Sequence, residues 1–183
     1  MKIGKTIQVI ADLAARTVIK QYAVTGAVAA LAYVEPTLTE DLDILVSVDD
    51  FEQRPSGLIL MSPIERALAD MGYSERSGAG IVVEGWSVEF LPAASELDEE
   101  ALREADELAI GEGIRARVVK PEHLVAKAIN VGRLKDLSRV EAFLDQQAVN
   151  LAALRLVIER FKLEEAWIAF CARSGRADPL GLG

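Results

Sequence analysis

Asp41 and Asp43 lie two positions apart in Thr37-Leu38-Thr39-Glu40-Asp41-Leu42-Asp43-Ile44-Leu45-Val46, a stretch that reads as an extended strand. Alternate side chains of a strand point to opposite faces, so Leu42, Ile44, Val46 and Val48 can enter a core while both carboxylates stand on the other side. At neutral pH two such groups repel unless a proton or a cation comes between them. An oxygen-rich pair open to solvent suits a hard ion such as Mg2+, which takes one or two carboxylates together with substrate phosphates. Taken alone the pair is ambiguous, because an Asp-x-Asp also serves as a plain solvated strand face or as a guard against edge-to-edge pairing.

Upstream, Tyr22-Ala23-Val24-Thr25-Gly26-Ala27-Val28-Ala29-Ala30-Leu31-Ala32-Tyr33 reads as a short apolar strand, a glycine break and a helix of small residues. Glycine at a strand-to-helix turn lets the backbone approach a ligand, and the free amides of a helix N-terminus attract phosphate. The same residues also suit an Ala-rich helix packed closely on a sheet.

In order and spacing, Gly26-Ala27-Val28-Ala29, then Thr39-Glu40-Asp41-Leu42-Asp43, then Lys135-Asp136 resemble the nucleotidyltransferase superfamily that shares the catalytic fold of DNA polymerase β. More narrowly, the chain looks like the small bacterial and archaeal nucleotidyltransferases related to abortive-infection toxins, over residues 20–145. The resemblance implies an α+β fold: a nucleotidyltransferase-type mixed β-sheet with flanking helices and a helical C-terminal extension. It also implies transfer of a nucleoside monophosphate from a nucleoside triphosphate, ATP included, to the hydroxyl of an RNA 3′ end, a protein or a small molecule. Mg2+ or Mn2+ is the implied cofactor, and an antitoxin protein the implied partner of a toxin–antitoxin component. Gly26, Ala27 and Thr39 fall on nucleotide-binding positions, and Lys127 and Lys135 would face the cleft and hold phosphates, with Asp136 fixing a lysine or capping the helix. Two departures stand out: Ala27 offers no hydroxyl to a phosphate oxygen, and Thr37 stands where relatives often carry Arg.

Members of the superfamily take a third carboxylate from a later strand. Here Gly80-Ile81-Val82-Val83-Glu84-Gly85-Trp86-Ser87-Val88-Glu89-Phe90-Leu91-Pro92 reads as a hairpin turning near Glu84-Gly85. Alternation sets Trp86, Val88 and Phe90 against Ser87, Glu89 and Leu91, so Glu89 is the candidate third ligand and general base beside Asp41 and Asp43.

With 183 residues, 51% hydrophobic and 27% charged, the chain can bury a real core. The expected organisation is a catalytic core over 1–119, a helical region over 120–173 and a flexible tail over 174–183. No segment reads as a signal peptide or a membrane span, and the single Cys171 reads as part of a buried helix face, so a cytoplasmic location without a membrane partner is expected. A net charge of −9 and a pI of 4.7 argue against broad attraction to nucleic acid. The charge is nonetheless segregated: residues 96–112 are strongly acidic and read as a solvated helix, while residues 115–139 are basic enough to bind a triphosphate or an RNA end locally.

The remaining pattern predicts helices over Thr6–Gln21, Ala27–Tyr33, Pro63–Met71 with Ser62 as cap, Leu137–Gln146 and Leu151–Phe170, another opening at Lys120-Pro121, and a strand around Ile114–Val119. His123 is the single histidine, which excludes a multi-His metal site and leaves it structural or near the substrate. Three function classes follow: a metal-dependent nucleotidyltransferase, a catalytically inactive binding or regulatory module on the same fold, and a phosphohydrolase using the same acidic patch.

Overall fold

A computed structural model describes residues 3–35, 39, 41–53, 59–110 and 114–183, with 52, 53 and 59 as backbone only. Helix α1 (Ile3–Ala15) leads into strand β1 (Tyr22–Thr25), the short helix α2 (Gly26–Ala30) and strand β2 (Asp41–Ser47). A small pair, β3 (Glu52–Gln53) and β4 (Ile59–Leu60), precedes α3 (Ser62–Asp70). Strands β5 (Arg76–Ser77), β6 (Gly80–Val83) and β7 (Trp86–Ala93) are followed by α4 (Glu96–Arg103), β8 (Asp106–Ala109) and β9 (Arg115–Val118). The chain then runs through α5 (Pro121–Val131), α6 (Leu134–Asp145), α7 (Leu151–Arg160) and α8 (Glu164–Ser174). Among the described residues, no helix is long and apolar enough to cross a membrane.

Seven strands form one mixed sheet in the order β5-β6-β7-β2-β1-β9-β8. β2 runs parallel to β7 and antiparallel to β1, while β1 pairs in parallel with β9. The two middle strands are buried on both faces: Leu42, Ile44, Leu45 and Val46 of β2 and Ala23 and Val24 of β1 are all solvent-free. Leu45 shares the aspartate face yet is covered, because α4 packs across β2 and β7. Each such Leu or Ile contributes roughly 1.5–3 kcal/mol on burial, so the strand that carries the carboxylates is held by its own neighbours. The β6–β7 hairpin turns where expected, with positive φ at both Glu84 (52°) and Gly85 (87°), the primed geometry that matches strand twist.

Several expectations are corrected. The acidic helix stops at Arg103, and residues 106–109 become a strand opposite the basic one, with Glu107 facing Arg117 and Ala109 facing Arg115. Cross-strand pairing of opposite charges favours that outcome over continued helix. Arg117 also donates to the Leu102 and Arg103 carbonyls, at 2.9 and 3.2 Å, which satisfies the end of α4. Met61, not Ser62, occupies the cap position of α3, and Ser62 is already helical. The single helix expected over Leu151–Phe170 is two, broken at Lys162, whose φ of 56° is left-handed. The first helix ends at Ala15 and the aspartate strand at Ser47, leaving Val48 half-buried in a short 3-10 turn.

Residues 174–183, expected to fray, are tied down. The Asp178 carboxylate accepts from the Trp167 indole at 2.6 Å and from the Leu180 amide at 2.9 Å, and Leu180 is buried. Burial alone would raise the Asp178 pKa, but these bonds and those from the Leu182 and Gly183 amides hold it down at about 2.

Candidate active site

Parallel pairing places Asp43 directly beside Glu89, and Asp41 beside Ser87. Asp41 and Asp43 share a face by alternation, so the three carboxylates lie on one face of two adjacent strands without any loop to position them. All three line one cavity of about 440 Å³, in the size range of small-molecule sites. Burial raises the Asp43 pKa, Glu89 and Asp41 push it the same way, and Arg139 and Lys135 pull it partly back.

Gly26 explains how Asp43 fits. Antiparallel pairing of Thr25 with Asp43 brings the glycine, at φ 64°, against the carboxylate. A Cβ built at position 26 would overlap the carboxylate oxygen and stand 2.8 Å from Cγ. Space that any other side chain would fill is occupied by the acid. Ala27 and Thr39 also line the cavity, and the Thr39 hydroxyl donates to the Asp41 carbonyl at 3.2 Å. Thr37 lies outside the described residues.

The opposite wall comes from α5 and α6 and is basic: Lys127, Arg133, Lys135 and Arg139 all line the cavity. Lys127 does not point free into it, because its ammonium is paired with Asp98 of α4, whose carboxylate also accepts from the Ser95 hydroxyl at 2.7 Å. Lys135 is exposed and near enough to Asp43 to be felt by it. Asp136 neither fixes a lysine nor acts as the cap; it is buried, with Arg133 Nε at 2.6 Å and Arg139 Nη2 at 3.0 Å. Sequence reasoning missed Arg139 as a site residue, although its i+3 spacing from Asp136 on one helix was the available signal. Asp98 was missed as well, having been absorbed into the acidic run over 96–112, and so was Ser95 just before it.

His123 is structural. It is buried in α5 with Nε2 3.1 Å from Glu100 Oε1, and Glu100 takes two bonds from Arg160 Nη1 at 2.6 and 2.7 Å. Burial would raise the Glu100 pKa, but Arg160 and His123 bring it below the usual value. Cys171 is buried in α8 and burial raises its thiol pKa, as befits a packed residue rather than a nucleophile.

The donor set fits a divalent ion: three carboxylates lining one cavity, an Asp43 proton held up chiefly by burial and then by Glu89 and Asp41, and a backbone that clears the space with glycine. Among the described residues no three ligating side chains stand as a finished cage for a metal ion.

Among the described residues, the seven-stranded mixed sheet and eight helices form a nucleotidyltransferase-type α+β fold. The fold compares with the solution structure of the antibiotic-resistance factor ANT(2'')-Ia, a nucleotidyltransferase, at a TM-score of 0.51 and 15% identity, covering 93% of this chain and 99% of that one. At that identity the likeness is one of fold. No family model and no curated protein matches the chain.

Proposed function

We propose that the protein is a metal-dependent nucleotidyltransferase that moves a nucleoside monophosphate from a nucleoside triphosphate to a hydroxyl acceptor. The observation that carries this reading is the adjacency of Asp43 and Glu89 on parallel strands, with Asp41 beside them, in a cavity whose other wall is cationic. A bound Mg2+ or Mn2+ supplies charge neutralisation at the triphosphate and Lewis-acid activation of its α-phosphate. Asp41, Asp43 and Glu89 would hold it. The backbone at Gly26 and Ala27 and the side chains of Thr39, Lys135 and Arg139 orient the phosphates, and Lys127 joins them on leaving Asp98. Glu89 accepts the proton of the attacking hydroxyl as the new oxygen–phosphorus bond forms, the bond to the β-phosphate breaks and pyrophosphate leaves.

The acceptor in this reading is an RNA 3′ end, a protein or a small molecule, and the tie to a toxin–antitoxin pair rests on the motif resemblance alone. A second reading, an inactive module on the same fold, is favoured by two observations: Ala27 lines the cavity without a hydroxyl, and Lys127 is already engaged. Incubation with each labelled nucleoside triphosphate, Mg2+ or Mn2+, and RNA, protein and small-molecule acceptors separates the two. Label transfer with pyrophosphate release is expected. Retained nucleotide binding without turnover would establish the module instead, and release of orthophosphate would point to a phosphohydrolase.

A further inference from the structure

Among the described residues Asp136 is the one buried acid on the cationic wall, and its burial is unusual: it is 4% exposed yet sits in the first turn of a helix that faces a cleft. Arg133 reaches it through Nε, from just before α6, and Arg139 through Nη2, from one turn further on. Two guanidiniums share one carboxylate, leaving a positive charge in excess. Neither has a second ion-pair partner among the described residues. The Arg139 side chain is 21% exposed and the Arg133 side chain 62%, so both keep donors open to the cavity. Both also feel the carboxylates across the cleft: Arg139 lowers the Asp43 pKa, and Asp43 and Glu89 help raise that of Arg133.

The other phosphate-binding groups of the motif are compromised. Position 27 lacks a hydroxyl, position 37 is Thr, and Lys127 is paired with Asp98. We propose that Asp136 is a positioning residue that holds Arg139, with Arg133, as the polyphosphate clamp of this cleft. A guanidinium fork can hold phosphate oxygens by two parallel bonds, and a fork already oriented by a buried carboxylate loses little freedom on binding. The inference rests on the nucleotidyltransferase reading and adds to it Asp136 as the residue that orients Arg139, and Arg133 as its companion.

The test is equilibrium binding of a fluorescent nucleoside triphosphate and of the matching nucleoside, each with Mg2+ and with chelator, to the full chain. Arg139→Ala should weaken triphosphate binding roughly tenfold to a hundredfold, the scale of a lost charge-assisted bond or two, and leave nucleoside binding unmoved. Asp136→Asn should weaken triphosphate binding about tenfold, and not at all when Arg139→Ala is already present. Because Asp136→Asn removes a buried charge and can unfold the protein, Arg139→Lys is measured beside it. That variant keeps both the charge and the aspartate, and should still bind triphosphate about tenfold more weakly because a lysine is not a fork. Unchanged triphosphate affinity in Arg139→Ala or Arg139→Lys would overturn the clamp while wild-type binding left the functional reading standing. Equal losses for nucleoside and triphosphate would overturn it too, as general damage. No triphosphate binding by the wild type would remove the functional reading and the clamp with it.

Discussion

The two walls of the cleft are built by different physics. The acidic wall is set by backbone: Asp43 and Glu89 are neighbours because two strands are in register, and hydrogen-bonded ladders fix that register. The basic wall is set by side chains: Lys127 is placed by Asp98, and Arg133 and Arg139 by Asp136. A wall fixed by pairing keeps its geometry when a site residue is changed, whereas a wall fixed by ion pairs rearranges when one partner goes. Damage on the acidic side should therefore appear in chemistry, and damage on the basic side in affinity.

The sharpest way to break this contrast is Asp41→Asn with Asp43→Asn. Loss of two ion-holding carboxylates should lower nucleotide transfer by on the order of 10³-fold, since an ion at the reacting phosphate is worth several kcal/mol. Mn2+ relaxation should show the ion lost, and the fold should melt no lower than wild type in metal-free buffer. A large fall in melting temperature would mark the pair as structural. Glu89→Gln should lower transfer by roughly 10²-fold with triphosphate affinity nearly kept, the scale of one general base. If affinity falls as far as rate, the assignment of Glu89 to chemistry is wrong.

Gly26→Ala crosses the two categories and should be intermediate. Its Cβ displaces the Asp43 carboxylate, and the left-handed φ adds about 1 kcal/mol of strain, so transfer should fall at least tenfold with a melting shift of only a few degrees. Full activity in Gly26→Ala would show that Asp43 can serve from another position.

The smallest expected effect is a pH dependence. The Asp43 pKa in the fold lies above its unfolded value near 3.8, so the folded state binds that proton more tightly. Its ionisation therefore costs stability above the folded pKa, and that cost is relieved as pH falls through it towards 3.8. In metal-free buffer the stability advantage of Asp43→Asn over wild type should be greatest at neutral pH and shrink on acidification. Calorimetric scans at stepped pH would settle it, and an advantage that grows with acid would refute the assignment. For Glu100, whose pKa is lowered, the sign is opposite: its contribution is present above 4.5 and lost as pH falls below.

What could be read from sequence follows the same division. Asp41, Asp43, Gly26 and the Glu89 hairpin were legible because alternation and positive-φ turns are local rules. The acidic run misled because the fate of residues 106–109 depends on a partner strand that a helical pattern does not reveal. Lys162 carries no glycine to announce its turn, and the role of Asp178 depends on Trp167, a helix away. Asp136 was singled out for the right stretch but the wrong partners, since choosing between a lysine and two arginines requires the rotamers themselves.

Glu100 has a consequence best put in mechanical terms. It belongs to α4, which packs on β2 and β7, yet its one carboxylate is gripped by His123 of α5 and Arg160 of α7. It acts as a rivet between the plate that bears the acids and the arm that bears the cations. Separating them at that point would strand the largely buried Glu100 carboxylate without its partners, while Arg160, being exposed, would lose little. If the rivet holds, any opening of the cleft is expected at its lip, where α5 ends at the left-handed Gly132 and α6 begins. Hydrogen exchange should find amides around 132–136 opening well before those of α4 and the first turns of α5, and uniform exchange across both would show that the rivet does not hold.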